Sequence, residues 1–361
     1  MKATVLHVTT VHSPNDNRIF RKECAALSES GYKVALAAPS SEDFSEFGVE
    51  SILLKPRLGR VRRMILGPID VLRAVISASP NVVHAHDPEL IPILCLIKIV
   101  RPNLGIIYDA HEDLPKQVLS KPYLSTTVRR ILSFLTLGLV WLVSKFADRI
   151  VAATPSIAGT FPEKKTTVVQ NFPLLKDYPL SEDEPTHTAV YVGALSKIRG
   201  GEQLFRALDE SAPGVSCAMA GPIQDSLVAR ADSCEKFTYL GTVEPKDVRS
   251  IIGRGRAGIV CFLPFPNHTD AQPNKLFEYM AAGRAIICSD FPLWRQLLEP
   301  FDCAYFVNPE DSTQLRDAIE RVASHPAEAD EMGKRARRAF ESNFAFDSEK
   351  VALLEAYRSL L

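Results

Sequence analysis

The chain lacks several patterns that would assign it quickly. Its seven cysteines are scattered, without a CxxC pair, and most lie in apolar runs where a free thiol behaves as a small hydrophobe. This odd, unpatterned set argues against a disulfide framework and favours a reducing, cytoplasmic setting. The net charge is only −1, so no basic field favours nucleic acid as a partner.

Two phosphate-binding fingerprints are also missing. No GxGxxG follows a strand, and no GxxxxGK[ST] occurs anywhere, which removes most support for a dinucleotide-dependent oxidoreductase or a P-loop ATPase. The longest apolar run, Ile131 to Ser144, is shorter than the roughly twenty residues of a spanning helix. We interpret the helix around it as a buried domain helix, with contact to lipid as the alternative.

What the 361 residues do contain is a repeated alternation of short apolar runs with helix-patterned segments. Strands that are apolar throughout and separated by helices predict parallel sheets covered on both faces. The alternation stops in the proline- and acid-rich stretch 171–188 and then restarts. We therefore predict an α/β fold of two facing Rossmann-like domains with a cleft between them, because ligands bind at the carboxyl ends of parallel strands.

The predicted boundaries give an N-terminal domain of residues 1–173 and a C-terminal domain of residues 174–340. The tail, residues 341–361, is predicted to be a helix that crosses back to the first domain, after a break near Asn343 to Phe346.

The segment DAQPNKLFEYMAAG places charges between two apolar runs. Asn274 is predicted to cap a short helix that runs from Lys275 and ends at Gly283. A helix N-terminus with a lysine in its first turn is an anion site, and Glu278 on the same face suits a diol. A plain ion pair between Lys275 and Glu278, and a simple turn role for Asp270, remain the alternatives.

A second candidate is the loop in YVGALSKIRGGEQL. Gly193 ends a strand, and the loop then carries Lys197 and Arg199 before two glycines open a helix. Glycine lets the backbone approach phosphates closely, and an arginine grips them through two hydrogen bonds. An ordinary strand-to-helix loop with a solvated charge pair is the alternative.

In the first half, histidines and acids follow two apolar runs. One group is His84, His86 and Asp87, and the other is Asp109, His111, Glu112 and Asp113. These residue types can bind metal, but the spacings of known metal motifs are missing and cationic groups already offer phosphate neutralisation. We therefore predict no metal site. A hydrogen bond from His111 to a sugar hydroxyl or the reacting centre is favoured over a structural role, whereas His84 is more readily structural.

The segment KPRLGRVRRMIL combines basic and apolar side chains over residues 55–66. Such a segment can lie on an anionic membrane surface. A solvated loop followed by an amphipathic helix explains it equally well.

Together these segments resemble the family 4 retaining glycosyltransferases of GT-B fold, of the type that builds bacterial polysaccharides, over essentially the whole chain. The matching segments occur in the family's order: NRIFRKECAALSESGYKV, VVHAHDPE, IIYDAHED, ADRIVAATPS, YVGAL…RGGEQL, AMAGP, FTYLGTV and DAQPNKLFEYMAAGRAIICSD. Their order and spacing are far more specific than any one of them.

The resemblance implies roles for named residues. The family's paired acids fall on Asp270, near the donor sugar and its anomeric carbon, and Glu278, on the nucleotide ribose. The remaining assignments are His111 near the reacting carbon; Arg199, Lys275 and Asn274 on the diphosphate side; Thr242 and Val243 near the base; and Asn15, Asp16, Arg18, His86 and Asp87 on the acceptor side.

Three positions depart from the family's pattern. Asp270 stands where Glu is usual. Ala194 stands where the phosphate loop often has Arg, so Arg199 and Lys197 have to supply the charge. The Gly-Gly of the first loop is replaced by SPNDN, residues 13–17.

The implied activity is transfer of a sugar from a nucleotide-diphosphate sugar to an acceptor hydroxyl with retention of configuration, in surface polysaccharide or glycolipid synthesis. No cofactor is expected beyond the donor substrate, and the acceptor is a sugar or lipid-linked sugar. The expected location is the cytoplasm, with the inner face of the cell membrane as an option. The alternatives are a nucleotide-sugar epimerase, a non-catalytic sugar-nucleotide-binding subunit, and a metal hydrolase built on the His/acid groups.

Overall fold

The structure, a computed structural model, describes residues 3–119, 125–179 and 184–361. It divides into two compact units. The first runs to Asn171 and also includes Phe346–Leu361, and the second is Phe172–Ala345. Part of the predicted linker, residues 180–183, lies outside the described residues.

The first unit is built on one parallel sheet in the order β3-β2-β1-β4-β5-β6-β7. Its strands are β1 (Thr4–Val8), β2 (Lys33–Pro39), β3 (Val49–Leu54), β4 (Val82–Ala85), β5 (Gly105–Ala110), β6 (Arg149–Ala152) and β7 (Thr166–Val168). The central strands are apolar and buried, as the sequence predicts. The edge strands β3 and β7 were not predicted, because β3 mixes buried, half-buried and exposed residues and β7 has only three half-buried ones.

Helices flank this sheet. They are α1 (Ala25–Glu29), which continues a π-helical turn at Ile19–Cys24; α2 (Arg60–Ala78); α3 (Ile91–Val100), after a 3-10 turn at Pro88–Leu90; α4 (Leu114–Leu119); α5 (Thr126–Phe146); α6 (Pro155–Ala158), which precedes a 3-10 turn at Glu163–Lys165; and, from the end of the chain, α15 (Phe346–Arg358). Helix α2 begins at Arg60, so residues 60–66 of the basic segment form its first turns.

The expectation that α5 is buried is wrong. It is a 21-residue helix, and only 17% of its most apolar window is buried. Its C-terminal part packs on the core through side chains that include Val143 and Leu142, whereas Phe134 and Trp141 are 75% and 61% exposed. By length and composition α5 could cross a membrane, and the sequence misleads because apolar residues occur on all of its faces.

The second unit has a parallel sheet in the order β10-β9-β8-β11-β12-β13. Its strands are β8 (His187–Val192), β9 (Cys217–Ala220), β10 (Phe237–Tyr239), β11 (Gly255–Val260), β12 (Ala285–Ser289) and β13 (Ala304–Val307). Two apolar clusters pack on its two faces, one around Trp294 and Phe340 and the other around Phe205 and Ile319.

The helices of the second unit are α7 (Gly201–Glu210), after a 3-10 turn at Lys197–Arg199; α8 (Asp225–Ser233); α9 (Pro245–Gly253); α10 (Pro266–Thr269); α11 (Asn274–Ala281); α12 (Pro292–Leu298), followed by a 3-10 turn at Glu299–Phe301; α13 (Ser312–Ser324); and α14 (Pro326–Ala339). A further 3-10 turn lies at Leu175–Asp177. After α14 the chain forms a π-helical turn at Phe340–Phe344, passes through the extended residue Ala345, and enters α15 in the first unit. The predicted break in the C-terminal helix is confirmed.

Candidate functional site

In the second unit, the carboxyl end of β8 carries a tight loop against α11. Gly193 has φ of +101°, and a Cβ there would lie 2.7 Å from Cε of Lys275. Gly200 has φ of +76°, and a Cβ there would lie 2.0 Å from the Cys261 carbonyl oxygen. Both backbone conformations favour glycine. At Gly200 the backbone also leaves no space for a Cβ, whereas at Gly193 a Cβ would push aside the flexible end of Lys275.

Lys275 lies in an aromatic setting at the start of α11. Its Nζ is 4.1 Å from the centre of the Tyr191 ring and 5.5 Å from that of Phe262. Although the residue as a whole is half-buried, Nζ itself is shielded from solvent and has no hydrogen-bond partner among the described residues. Ring faces attract a cation, but they satisfy none of the three N–H donors of the ammonium.

This setting changes the protonation of Lys275. Burial lowers the pKa of its ammonium to about 7, with a further lowering from Arg199 that Glu278 partly opposes. Burial disfavours the charged form because water is lost as a solvating partner. An anion placed against Nζ would reverse that penalty.

Arg199 and Glu278 stand beside this lysine. The Arg199 guanidinium lies 5.5 Å from the centre of the Phe262 ring, and its Nη1 donates to the Ala194 carbonyl at 3.2 Å. Glu278 is half-buried one helical turn after Lys275. Burial raises the pKa of the Tyr178 phenol, and the nearby Glu278 carboxylate raises it further. The structure thus brings together the predicted diphosphate residues and the predicted ribose carboxylate.

The remaining residues predicted for this side lie at the start of α11 and in the segments after β10 and α10. Asn274 is the first residue of α11, and Pro273 occupies the capping position without a side-chain hydrogen bond. The expectation that Asn274 caps the helix is therefore wrong, because the helix starts one residue early. Thr242 is exposed and Val243 half-buried in the loop after β10, and Asp270 is exposed directly after α10.

In the first unit, Asp87 organises the ends of β1 and β4. Its Oδ2 accepts hydrogen bonds from the Thr9 hydroxyl at 2.9 Å and from the Thr10 backbone N–H. Oδ1 lies 3.6 Å from Nε2 of His12. Asp87 is 1% exposed, so its carboxylate holds the loop together.

His12 was missed by sequence reasoning. It stacks on His111, with ring centres 5.1 Å apart. Its Nδ1 lies 3.2 Å from Asp16 Oδ2, and this hydrogen bond raises the pKa of the imidazole despite partial burial. The position of His12 could have identified it. It follows β1, as the other candidate residues follow their strands, and it precedes Asp16 by four residues.

The SPNDN loop carries exposed polar residues and one aspartate, Asp16, whose side chain is hydrogen-bonded within the loop. Asn15 is exposed. Asp16 accepts from the backbone N–H groups of Arg18 and Ile19 at 2.8 and 2.9 Å. Burial raises the pKa of Asp16, but the hydrogen bonds from His12 and Ile19 outweigh burial and lower it to about 2.

Arg18 is committed to the interior. Its guanidinium forms two hydrogen bonds to Asp109, at 2.9 Å and 2.8 Å, and donates to the Val169 carbonyl at 2.7 Å. It also lies 3.1 Å from Glu23 Oε1. Only 3% of Arg18 is exposed, so its guanidinium stabilises the strand ends from the interior of the unit. A direct contact between Arg18 and an acceptor stays a prediction.

His86 and His111 meet at the same carboxylate. Nδ1 of His86 lies 3.0 Å from Asp109 Oδ2, and Nε2 of His111 lies 2.9 Å from that oxygen. His86 is buried, whereas the His111 side chain is 21% exposed. Burial raises the pKa of Asp109, but Arg18 and His111 outweigh it and hold the pKa well below its usual range, so the carboxylate is ionised.

Two groups of side chains in the described residues could hold a metal ion by proximity. They are His7, Glu23, His84 and His86, and His86, Asp109 and His111, with ligand atoms within 4.8 Å of one another in each group. However, the nitrogens of His7 and His86 already hydrogen-bond each other at 2.9 Å, and Asp109 is bonded to Arg18. Metal binding would have to displace these contacts, so the absence of a metal stays our prediction.

The second-unit residues define an anion site of a particular kind. A glycine-bordered strand end, a desolvated lysine and an arginine are groups that could neutralise a diphosphate, and a carboxylate one turn further along the helix could accept hydrogen bonds from a diol. Two Rossmann-like units in one chain, each built on a parallel sheet, are the architecture of the GT-B fold class.

Family models match both halves of the chain. "Glycosyltransferase Family 4" matches residues 17–172 and "Glycosyl transferases group 1" matches residues 176–339. Nearly the whole chain is therefore accounted for, and the protein belongs to the family 4 glycosyltransferases.

Curated relatives and solved structures agree with this assignment. The D-rhamnosyltransferase WbpZ of Pseudomonas aeruginosa is 26% identical over 74% of this chain and 71% of its own length. The phosphatidyl-myo-inositol mannosyltransferase of Mycolicibacterium smegmatis is 23% identical over 81% and 77%. Sucrose-phosphate synthase from Thermosynechococcus elongatus superposes with a TM-score of 0.74 at 14% identity, covering 99% of both chains. Anabaena HepE with UDP-glucose gives 0.73 at 14%, covering 99% of this chain and 100% of its own. The GT-B fold is thereby confirmed.

Proposed function

We propose that this enzyme transfers a sugar with retention of configuration from a nucleoside-diphosphate sugar to a hydroxyl of a surface polysaccharide or glycolipid precursor. The observation that carries the donor class is Lys275, a shielded ammonium without a hydrogen-bond partner among the described residues, next to Arg199. A diphosphate would supply the acceptors that the rings of Tyr191 and Phe262 do not.

The proposed step is a front-face displacement. The bond from the anomeric carbon to the diphosphate oxygen breaks, and a bond to the acceptor oxygen forms on the same face. The acceptor proton passes to the departing diphosphate oxygen. Lys275 and Arg199 stabilise the charge that develops there, and Glu278 holds the ribose, so the protein contributes positioning and electrostatic stabilisation.

We further propose a sugar of manno configuration. The names of two relatives specify rhamnosyl and mannosyl transfer, and D-rhamnose is the 6-deoxy form of D-mannose. Asp270, His111 and an acceptor-side surface including Asn15 remain the proposed sugar contacts. No metal cofactor is proposed, since Lys275 and Arg199 supply the positive charge.

A thermal-shift screen tests the donor, because a ligand that binds only the folded state raises stability with its concentration. The panel contains GDP-mannose, GDP-rhamnose, UDP-glucose and the free diphosphates. The hit is then incubated with a lipid-linked acceptor, and the anomeric configuration of the product is read by NMR. Stabilisation by a manno donor and an α-linked product are expected. An inverted linkage would contradict the retaining step.

We also propose that the first unit binds the membrane surface at the cytoplasmic face. Exposed apolar side chains line α5, namely Ile131, Phe134, Leu135, Leu137 and Trp141. Lys145 Nζ lies 5.3 Å from the centre of the Trp141 ring, a basic and aromatic pair of the kind enriched at membrane interfaces.

The basic segment of α2 adds to this proposal. Leu58, Val61 and Ile65 are 92%, 71% and 62% exposed, and Arg62 among them is exposed too. Arg57 and Arg63 are instead paired with Asp70 and Glu89. The segment therefore presents exposed apolar side chains, but fewer of its arginines are available to bind lipid headgroups than the sequence implies.

Vesicle flotation tests membrane binding. The wild type should float with phosphatidylglycerol vesicles, and Phe134→Glu should reduce the floated fraction several-fold. Val351→Glu, a matched change of an exposed apolar residue on α15, should not. Equal flotation of both variants would reject α5 as the contact.

A further inference from the structure

A chain of polar side chains crosses the interior of the first unit, from α15 to the loop after β5. Tyr357 on α15 contacts two histidines, with its hydroxyl 3.1 Å from His7 Nε2 and 2.6 Å from His84 Nδ1. His7 Nδ1 lies 2.9 Å from His86 Nε2. His86 then meets Asp109, where His111 also binds.

The Asp109 end of this chain fixes where the protons are. Asp109 accepts two hydrogen bonds from Arg18, so its carboxylate is ionised and can only accept. His86 therefore carries its proton on Nδ1, facing Asp109 Oδ2 at 3.0 Å. The opposite tautomer would place a nitrogen lone pair against a carboxylate oxygen, which is repulsive.

The tautomer of His86 determines the direction of every other hydrogen bond in this series of side chains. With a proton on His86 Nδ1, His86 Nε2 is an acceptor, so His7 donates to it from Nδ1. His7 Nε2 is then an acceptor and receives the Tyr357 O–H. The Tyr357 oxygen in turn accepts from His84 Nδ1. Burial lowers the pKa of His7, His84 and His86, which agrees with neutral rings.

The far end of the chain is consistent with this order. It leaves a lone pair on His84 Nε2, and this atom is buried without a hydrogen-bond partner among the described residues. In the reverse order His84 would bury an unpaired N–H there, and orphaned buried N–H groups are rare. Burial raises the pKa of the Tyr357 phenol, so its proton is retained.

We infer that Asp109, held in place by Arg18 and by the ordered side chains Tyr357, His7 and His86, is a positioning residue that fixes His111 as the Nε2–H tautomer, leaving its Nδ1 as a hydrogen-bond acceptor for a sugar hydroxyl. This deepens the proposed transferase function and rests on it for the ligand. The C-terminal helix thereby orders a site built from loops after β4 and β5. Asp109 Oδ2 collects the donors from both His86 and His111.

A direct readout of tautomers tests the inference without any activity. Protein labelled with ¹⁵N-histidine is studied by long-range ¹H–¹⁵N correlation, with assignment by single histidine substitutions. The expected pattern is Nδ1–H for His7, His84 and His86 and Nε2–H for His111. An Nε2–H signal from His7 or His86, or an Nδ1–H signal from His111, in the wild type would overturn the inference, whatever the enzyme transfers.

Two tyrosine variants add a functional readout. Tyr357→Phe removes the hydroxyl that accepts from His84 Nδ1 and donates to His7 Nε2, so the ¹⁵N resonances of both histidines should shift. Tyr32→Phe is the matched control, because its ring lies 6.0 Å from that of Tyr357 outside the chain. Loss of one hydrogen bond in the ordered chain should lower kcat about fivefold in Tyr357→Phe, with affinity for the free nucleoside diphosphate unchanged.

The spectra and the kinetic assay together distinguish failure of the proposed function from failure of the positioning role. If the wild type transfers no sugar but shows the expected tautomers, the proposed function fails and the ordered chain stands. If transfer occurs and Tyr357→Phe matches Tyr32→Phe in both spectrum and kcat, the positioning role is rejected.

Discussion

Replacing Lys275 by methionine should stabilise the protein while weakening its donor site. The side chain keeps a similar length and apolar stem, but the shielded ammonium above Tyr191 is removed. Burial of that ammonium without a hydrogen-bonded partner is a penalty that the folded apo enzyme carries. The gain in the free energy of unfolding therefore measures the burial penalty that a bound anion would relieve.

The magnitude follows from the pKa of Lys275. A pKa of about 7 in the folded state against an ordinary value of 10.5 corresponds to roughly 5 kcal/mol of unfolding free energy below pH 7. The lost cation–π contact offsets up to about 2 kcal/mol of this. We expect Lys275→Met to raise the free energy of unfolding of the second unit by about 3 kcal/mol near pH 6.5.

The pH dependence has a definite sign. Between pH 7 and 10.5 the unfolded chain binds the lysine proton and the folded chain has lost it, so wild-type stability rises with pH in that window. Below pH 7 the penalty is complete, and above 10.5 it vanishes. The advantage of Lys275→Met should therefore shrink as the pH is raised.

Urea unfolding in a Trp141→Phe background provides the assay. The chain has two tryptophans, and Trp294 is fully buried in the second unit, so its fluorescence reports that unit. Lys197→Met is the control, since Lys197 is exposed and paired with Glu202 at 2.8 Å; its effect should stay within about 0.5 kcal/mol. A Lys275→Met variant less stable than wild type at pH 6.5 would refute the reasoning.

Four further predictions concern the two units. Gly193→Ala should weaken nucleoside-diphosphate binding at least tenfold in a titration, because its Cβ would displace the Lys275 side chain; unchanged affinity would remove this loop from the site. Asp109→Asn should destabilise the fold by about 3 kcal/mol in denaturant unfolding, since Arg18 loses a buried charged partner, and a neutral result would contradict the ion pair. Glu278→Gln should raise the donor KM or lower kcat at least tenfold while leaving the thermal midpoint nearly unchanged, and wild-type turnover would exclude a ribose contact. Dialysis against EDTA should leave transfer unchanged, whereas a loss restored by one added metal would show that metal is required.

The fold was largely predictable because it depends on local pattern. Apolar strands separated by helices follow from burial on both sheet faces, and the central strands agree with this. Edge strands such as β3 and β7 carry a mixed pattern, since one side of an edge lies near solvent. The expectation for helix α5 was wrong for another reason. Its apolar composition indicates what the helix can contact, but neighbouring elements determine which of its faces are covered.

The second-unit site was also readable from the chain. Arg199, Lys275 and Glu278 follow strand ends, where backbone geometry directs side chains to one edge of the sheet. The desolvation of Lys275 could not be predicted from the sequence, because it depends on Tyr191 on β8 and on Phe262 just after β11. Both rings look like ordinary core residues in the sequence.

The first-unit site was less predictable because its charges satisfy one another. Arg18 and Asp87 are the residue types of a ligand surface, yet each is buried by partners far along the chain. Tyr357 is 350 positions from His7, which it contacts, and no local pattern indicates such a pair. His12 was overlooked since a single histidine after a strand carries little information without its neighbours.

Calorimetric titration with free GDP and UDP tests the central claim most directly, because it requires neither the sugar nor the acceptor. The wild type should bind one of these diphosphates at a single site and take up protons near pH 7.5, as the anion restores the charge of Lys275. Lys275→Met should bind at least tenfold more weakly, without proton uptake. If neither diphosphate binds the wild type, or the variant binds equally well, the donor site does not lie at Lys275.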